Sequence, residues 1–237
     1  MKKFKGIKRF VVATVIATSG VIGVVGAVGA ANVEARSDIK DIMIEGKKVT
    51  IWESQEWAKV NGHWHFVKDY KVVKGWRYLD KYDGEDTPHW SYFDNNGRLY
   101  TGWHKMGKTE GEKVEHWSYF GPNGWLRTGW QQMGKSTNNP DGNTAKHVSY
   151  FGPNGWLRTG WQQMGKGTNN PDGNTAKHVS YFGPNGWLRT GMVTLGKSDG
   201  EKVTHKSYFG GNGWLVANKR FSVSGKTYTA DSRGWVK

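Results

Sequence analysis

A 31-residue unit is copied almost unchanged in tandem within this chain of 237 residues. Residues 120–150 read FGPNGWLRTGWQQMGKSTNNPDGNTAKHVSY, and residues 151–181 repeat that string with one difference, Gly167 in place of Ser136. Tandem copies of this length indicate a repeat architecture, in which each unit is one supersecondary piece that stacks on its neighbours. A property that increases with copy number, such as length or the number of binding sites, is therefore favoured over a single active site.

More divergent copies of the same pattern extend over most of the chain. The pattern runs His, a variable residue, Ser-Tyr-Phe, a Gly/Pro/Asn turn, Gly-Trp-Leu, Thr-Gly-Trp, two residues and Met-Gly-Lys. The Trp of its Thr-Gly-Trp segment recurs at spacings of 27, 27, 31 and 31 residues, at Trp76, Trp103, Trp130, Trp161 and finally as Met192.

Composition and turn chemistry predict strands and turns for these repeats. The chain has 34 glycines and 14 tryptophans but is only 36% hydrophobic, which favours a thin aromatic core over one large globular core. The turn sequence Gly152-Pro153-Asn154-Gly155 predicts a hairpin between residues 147–151 and 156–161. No segment after Ala35 has sustained helical periodicity. The predicted fold class is therefore all-β, a solenoid of stacked β-hairpins in tandem repeats of 27–31 residues.

Less repetitive segments flank the repeats and predict four domains. Residues 42–44 and 49–52 are predicted strands around a turn at residues 45–48, and Asn61-Gly62 is a strong hairpin signal. We expect a signal peptide at 1–35, an N-terminal cap at 36–60, hairpin repeats at 61–219 and a closing partial repeat that caps the array at 220–237.

The first 35 residues have the three parts of an export signal. A basic stretch precedes the apolar segment 10–31, and Val33-Glu34-Ala35 offers small residues for a signal peptidase. We predict a helical signal peptide that is cleaved after Ala35, and hence a secreted or cell-surface protein associated with the cell wall. Because 22 apolar residues can span a bilayer, an uncleaved signal anchor is the alternative and would be the only membrane attachment.

The formal net charge of +14 has two interpretations. A basic exported protein attracts polyanions such as teichoic acid, nucleic acid or anionic lipid. Alternatively, lysines in loops keep an aromatic-rich array soluble. The export signal and the strand-bound aromatic residues make nucleic acid the least expected of these partners.

Motifs for catalysis and metal binding are missing from the sequence. It has no cysteine, no Gly-x-Ser-x-Gly elbow and no His-Glu-x-x-His motif, so we predict no catalytic residue and no cofactor. One histidine per repeat lacks the local spacing of metal ligands, and the turn at residues 139–143 has a single carboxylate. We therefore predict no metal site.

Three strings in the chain resemble the aromatic and glycine-rich cell-wall-binding repeats of Gram-positive bacteria. They are HWSYFGPNGWLRTGW, HWSYFDNNGRLYTGW and the final SGKTYTADSRGWV. The superfamily includes choline-binding and glucan-binding repeats, and the resemblance covers about residues 61–236. It implies a solenoid of β-hairpins with ligand sites in clefts between consecutive repeats, where aromatic side chains hold the quaternary ammonium of choline by cation–π attraction.

The resemblance also implies which residues bind the ligand. The Trp of the first strand and the Trp of the Gly-Trp dipeptide are the cage candidates, with tyrosines assisting. The candidates are Trp90 with Trp103, Trp117 with Trp130, the assisting Tyr92 and Tyr119, and the further Gly-Trp residue Trp161. Val148 and Val179 replace the first-strand Trp in later copies. Stacking of sugar rings on exposed tryptophans, with Gln131, Gln132 and Arg127 as polar neighbours, is the alternative.

The function implied is non-enzymatic binding of a bacterial envelope polymer. The expected partner is a cell-wall or extracellular polysaccharide, a glucan, or a choline-bearing or other teichoic acid. The alternative is a structural or adhesive surface repeat protein that has all its aromatic residues in the core and attaches by its positive charge.

Overall fold

The chain forms an array of β-hairpins. The computed structural model describes residues 11–12, 39–52, 55–79, 88–134, 146–165 and 177–237. Within these ranges all regular structure is strand except two short 3₁₀ helices, Lys108–Glu110 and Lys197–Asp199. The prediction of an all-β hairpin fold is confirmed. Among the same residues, no helix has the length and apolar character needed to cross a membrane.

Contacts divide the described residues into two compact units. The first extends to Tyr100 and includes Asn123–Trp125, and the second comprises Thr101–Pro122 and Leu126–Lys237. The strands of the first unit are β1 (Val11–Val12), β2 (Lys40–Ile44), β3 (Lys47–Ile51), β4 (Gln55–Val60), β5 (His63–Lys68), β6 (Lys71–Val72), β7 (Gly75–Leu79) and β8 (His89–Phe93). Those of the second are β9 (Gly102–Met106), β10 (His116–Phe120), β11 (Gly129–Met133), β12 (His147–Phe151), β13 (Gly160–Met164), β14 (His178–Phe182), β15 (Gly191–Leu195), β16 (His205–Phe209), β17 (Lys219–Val223) and β18 (Lys226–Ala230).

Two-residue turns close the first two hairpins of the first unit, at Asn61-Gly62 as the sequence predicts and at Glu45-Gly46 in place of the predicted four-residue turn over residues 45–48. β2 pairs with β3 around Glu45-Gly46, and β4 pairs with β5 around Asn61-Gly62. Glu45 and Asn61 have φ values of 47° and 49°, and both glycines also have positive φ, which is the conformation of a type I′ turn. The third hairpin of this unit is β7–β8.

The predicted signal peptide lies outside the described residues except for β1. Val11 and Val12 are extended and pair in parallel with Ala58 and Lys59 of β4. At these two positions the chain is strand and not the predicted helix. The cleavage after Ala35 stays a prediction.

The second unit contains five antiparallel hairpins, β9–β10, β11–β12, β13–β14, β15–β16 and β17–β18. Their pairing corrects the prediction that β12 forms its hairpin across the turn at residues 152–155. β12 pairs with the preceding β11 over five residues, whereas the segment after that turn meets the end of β12 through the bridge between Phe151 and Leu157 and the hydrogen bond from Arg158 N–H to the Tyr150 carbonyl oxygen. The chain then bends at Gly160, whose φ is +70°, and β13 pairs with the following β14.

Aromatic packing joins consecutive hairpins of the second unit. Phe151 of β12 is fully buried and lies against Trp103 and Tyr119 of hairpin β9–β10, with Leu157 beside them. Burial of a phenylalanine side chain contributes roughly 1.5–3 kcal/mol. The same arrangement recurs around Phe182 and again around Phe209.

Backbone and hydroxyl hydrogen bonds fix the register between these hairpins. The N–H of Leu157 donates to the carbonyl oxygen of Trp117 at 2.8 Å. The Ser118 hydroxyl donates to the carbonyl oxygen of Gly155 at 2.9 Å, so the buried serine also has a partner in the next repeat. Leu188 and Leu215 donate to Val148 and Val179 in the same way.

A row of leucines packs on glycines in the next repeat. Gly186 has a φ of +76°, and a Cβ at this position would lie 2.6 Å from both methyl groups of Leu157. Leu157 is itself packed against the cluster around Phe151, so it has little freedom to move away. Close stacking of successive repeats therefore requires glycine at this turn.

Gly186→Ala should cost more stability than Gly160→Ala, which is its matched control. Both substitutions place alanine at a positive φ, at a cost of about 1–2 kcal/mol. The Cβ site of Gly160 is open, whereas that of Gly186 is filled, and overpacking adds roughly 1–3 kcal/mol. Urea unfolding of both variants measures the difference. Leu157→Ala should remove the additional cost of Gly186→Ala, and equal losses in the two single variants would contradict the prediction.

Candidate functional site

Four aromatic side chains share one face of hairpin β7–β8. Trp76 is the cross-strand partner of Tyr92, and Tyr78 is the partner of Trp90. Because alternate residues of a strand point to the same side, all four project from one face. We call Trp76, Tyr78, Trp90 and Tyr92 the aromatic platform.

The ring geometry of the platform leaves one end buried and the other open. The ring centroids of Trp76 and Tyr92 lie 5.2 Å apart, and those of Tyr78 and Trp90 lie 5.3 Å apart. Tyr92 is buried, whereas Tyr78 and Trp90 keep 58% and 51% of their surface exposed. Trp76 and Trp90 are 6.4 Å apart at an angle of 83°, so their faces form two nearly perpendicular walls.

Exposed aromatic faces of this kind bind two classes of ligand. The negative face of an indole or phenol ring attracts a cation such as a quaternary ammonium group. The same faces offer a flat apolar surface for the C–H groups of a sugar ring. The platform has the shape for either ligand class.

The sequence identified half of this platform. Trp90 and Tyr92 were predicted as ligand-binding residues, whereas Trp76 and Tyr78 were not. Their signal is the alternation in Gly75–Leu79, which places two aromatic residues opposite Tyr92 and Trp90 once the strands pair in the observed register. From the sequence we predicted that the His-x-Ser-Tyr-Phe strand pairs with the segment after it. The pairing of Trp76 with Tyr92 and of Tyr78 with Trp90 was therefore not predicted.

The equivalent positions of the later hairpins carry fewer aromatic residues. In β9–β10 the position equivalent to Tyr78 is occupied by Lys105, which forms a 2.6 Å ion pair with Glu115. In β11–β12 and β13–β14, valine and glutamine occupy the two outer positions, which are Val148 with Gln132 and Val179 with Gln163. The open aromatic pair of Tyr78 and Trp90 is therefore not repeated in these hairpins.

The predicted Gly-Trp residues of the second unit lie between hairpins. Trp103, Trp130 and Trp161 are half-buried, and each has its ring about 5 Å from a tyrosine of its own hairpin and less than 6 Å from a phenylalanine of the next. These tryptophans contribute to the packed core at the same place where the sequence predicted a ligand.

The structure brings the predicted site residues together in a different combination from the expected pairs. Trp103 pairs with Tyr119 within hairpin β9–β10. Trp117 lies opposite Lys105, and among the described residues no ring contact joins it to Trp130. Trp90 belongs to the first unit and Trp103 to the second.

The additional tryptophan after each turn stacks on a histidine of the preceding repeat. Ring centroids are 3.3–4.5 Å apart and the rings are parallel within 20°. The pairs are His89 with Trp125, His116 with Trp156, His147 with Trp187, His178 with Trp214 and His205 with Trp235. Hence the histidines pack between repeats. No group of three potential metal-ligating side chains occurs in the described ranges.

Two carboxylates cover the aromatic pair of hairpin β13–β14. The indole N–H of Trp161 donates to Glu201 Oε1 at 2.6 Å, and the hydroxyl of Tyr181 donates to Asp199 Oδ1 at 3.1 Å. Both acids lie in the connection between β15 and β16, where the N–H of Gly196 donates to Asp199 Oδ2 at 3.1 Å. Burial, the negative charge of Asp199 and the hydrogen bond to it raise the pKa of Tyr181 to about 12.

Tyr181 should therefore ionise late in an alkaline titration. Its folded-state pKa is raised above the usual tyrosine value of 10.0, so its contribution to stability is full below pH 10 and is lost as the pH rises through about 12. The ultraviolet difference titration between the wild-type protein and Tyr181→Phe isolates this one phenol. We expect a midpoint near pH 12, and a midpoint near pH 10 would contradict the assigned burial and hydrogen bond.

Comparison with known proteins gives a match for the fold. No family model and no curated protein sequence matches this chain. Choline binding protein F from Streptococcus pneumoniae aligns over 81% of this chain and 56% of its own chain, at 24% identity and a TM-score of 0.55. The structure of the same protein in the presence of a peptidoglycan analogue covers 81% of this chain and 57% of its own, at 24% identity and a TM-score of 0.55. The structure of CbpF in complex with ipratropium covers 81% of this chain and 58% of its own, at 23% identity and a TM-score of 0.57.

This chain spans less than three fifths of the length of those matched chains. The match covers 81% of this chain. The described hairpins therefore have the same type of fold as choline binding protein F.

Proposed function

We propose that this chain is a secreted, non-enzymatic repeat protein that binds a bacterial envelope polymer through the aromatic platform. The polymer is a wall glycan, a glucan or a teichoic acid. The observation that carries the proposal is the cross-strand pair of Tyr78 and Trp90, both more than half exposed beside the perpendicular ring of Trp76.

The exposed pair is what a binding surface for a polymer requires. Exposed aromatic rings leave apolar surface in contact with water. A sugar or ammonium group that covers the rings buries this surface and is thereby bound. A polymer presents the same group many times, so weak contacts at several hairpins add through avidity. The predicted residues Trp103, Trp117, Tyr119, Trp130 and Trp161 are the proposed further contacts along the array.

The comparisons support the envelope as the location of the ligand. Choline binding protein F has been crystallised in the presence of a tetrasaccharide-pentapeptide analogue of peptidoglycan. The export signal at residues 1–35 places this chain outside the cytoplasm in the proposal, with attachment to the wall through the repeats. We propose no reaction for this chain because the sequence has no cysteine, no Gly-x-Ser-x-Gly elbow and no His-Glu-x-x-His motif.

A basic cleft in the first unit favours a second candidate, attachment by charge with the aromatic residues acting as core. The cleft has a volume of about 580 Å³, and its charged lining residues are Lys68, Lys71, Lys74, Arg77 and Asp69. Such a surface attracts polyanions, and the attraction weakens as salt screens it. The charge-based candidate and the aromatic proposal therefore differ in salt dependence.

Substitution of Trp90 tests the aromatic proposal, with Trp52 as a matched control. Trp52 is 47% exposed and lies outside the platform, so Trp52→Ala removes a similar exposed indole. We expect Trp90→Ala to weaken binding to purified cell walls roughly ten-fold, since a lost aromatic contact is worth about 1–2 kcal/mol. Tyr78→Ala should act in the same direction, and Trp52→Ala should leave binding unchanged.

Salt titration and fluorescence complete this test. Binding through aromatic rings should persist in 0.5 M salt, and it should change the tryptophan fluorescence of the wild-type protein more than that of Trp90→Ala. If the three variants bind like the wild type and moderate salt abolishes binding, the aromatic proposal fails and attachment by charge is favoured.

A further inference from the structure

The basic cleft of the first unit is lined by four cationic side chains and one acidic side chain. The cations are Lys68, Lys71, Lys74 and Arg77, and all four residues are exposed. Within the residues that the structure describes, none of the four forms an ion pair. The acidic lining residue is Asp69, so four positive charges and one negative charge give the lining a formal net charge of +3.

Two of these lysines lie directly opposite each other on paired strands. In the ladder between β5 and β6, Lys68 is the cross-strand partner of Lys71. Like charges at directly opposed positions destabilise a sheet. The fold therefore concentrates positive charge here at a cost in stability, and an anion bound beside the two ammonium groups would offset that cost.

The turn between the two lysines is held in place by its tyrosine. Asp69 and Tyr70 have φ values of 51° and 59°, in the left-handed region that is unfavourable for a residue with a Cβ. The Tyr70 ring packs against the core cluster of the first two hairpins, and Lys40 Nζ lies 4.4 Å from its centroid. These contacts anchor the turn, so the backbone of Lys68 and Lys71 has a defined position.

Arg77 places the cleft on the opposite face of β7 from the aromatic platform. It lies between Trp76 and Tyr78 in the strand, and successive residues of a strand point to opposite faces. Its Nη1 atom donates to the carbonyl oxygen of Trp76 at 2.7 Å, which uses only part of the donor capacity of the guanidinium.

The chemistry of the lining favours phosphate as the anion. Lysine binds phosphate oxygens as a point charge, and the guanidinium of arginine binds them through its planar donors. A chain of phosphodiester groups carries one negative charge in every unit, so it can contact several of these cations at once. The volume of about 580 Å³ lies within the range of small-molecule sites, which is roughly 300–1,000 Å³.

We propose that the basic cleft binds the phosphodiester groups of an envelope polymer, in addition to the contacts of that polymer with the aromatic platform. This inference rests on the proposed function and narrows the polymer to one that contains phosphate, such as a teichoic acid. Attachment by charge then has a defined location and accompanies the aromatic contacts instead of replacing them.

Binding of a chemically defined hexamer of glycerol phosphate to the full chain tests the cleft separately from the platform. The hexamer has no sugar ring and no ammonium group, so it contains no ligand for the platform. We expect Lys68→Gln/Lys71→Gln to weaken hexamer binding roughly ten-fold at low salt, measured by calorimetry. The matched control, Lys219→Gln/Lys226→Gln, removes the same two charges from exposed strand positions outside the cleft and should change the affinity less than about two-fold.

Urea unfolding shows whether a loss of binding reflects a loss of structure. Removal of the opposed lysines relieves their repulsion, so Lys68→Gln/Lys71→Gln should unfold at the same urea concentration as the wild type or at a higher one. The hexamer should stabilise the wild type and should stabilise this variant much less. A lower unfolding midpoint for the variant would contradict the assigned repulsion.

Two further anions separate phosphate from other charges and the polymer from a membrane. Hexaglutamate presents six carboxylates, and phosphatidylglycerol vesicles present the same phosphodiester chemistry on a lipid surface. We expect the hexamer to bind several-fold more tightly than hexaglutamate, because the cations are arranged for phosphate. Equal affinity would identify a general anion surface and overturn the proposal. Loss of vesicle binding without loss of hexamer binding in Lys68→Gln/Lys71→Gln would assign the cleft to a membrane instead.

Equal losses in the two double variants would attribute hexamer binding to net charge and would also overturn the proposal. Trp90→Ala should leave hexamer binding unchanged, because it lies outside the cleft. If only Trp90→Ala weakens binding to purified walls and the cleft variant binds the hexamer normally, this inference fails alone. If only the cleft variant weakens both, the aromatic proposal fails and the phosphate site stands.

Discussion

The packing of one hairpin's aromatic face on the phenylalanine of the next is the interaction on which the array depends. An isolated two-stranded hairpin is marginal in water, and each hairpin here has little core of its own. Phe151 completes its burial only against Trp103 and Tyr119, and the hydrogen bond from Leu157 to Trp117 fixes the register of that contact. Stability is thus a property of neighbouring pairs, as in other repeat proteins.

This dependence places the core and the candidate site on the same side chains. A tryptophan at the Gly-Trp position packs on the next hairpin, so only its exposed edge and the outer cross-strand positions are left for a ligand. Hairpin β7–β8 adds two aromatic residues at those outer positions, and they are exposed. In later hairpins valine, glutamine or lysine occupy those outer positions, so the exposed aromatic pair is not repeated there.

The sequence predicted the repeat class and the two-residue turn at Asn61-Gly62 because these depend on local chemistry. Glycine and asparagine in Asn61-Gly62 specify a turn wherever they lie in the fold. It did not predict which strands pair, because the turn at residues 152–155 and the connection after Met133 are both compatible with a hairpin. The choice depends on the bend at Gly160 and on inter-repeat packing. For the same reason Tyr78, and the stacking of Trp156 on His116, were not predicted.

The observed strand pairing shows which part of the hairpin contains the difference in repeat length. The connection within each hairpin, after the Gly-Trp strand, is where repeats of 27 and 31 residues differ in sequence. In β15–β16 that same connection supplies Glu201 and Asp199 to the donors of the preceding hairpin. A change in its length or sequence therefore alters what covers the aromatic pair of the preceding hairpin, while the strands and their aromatic packing remain the same. Loops tolerate such changes at little cost, so this connection can differ between repeats without loss of the array.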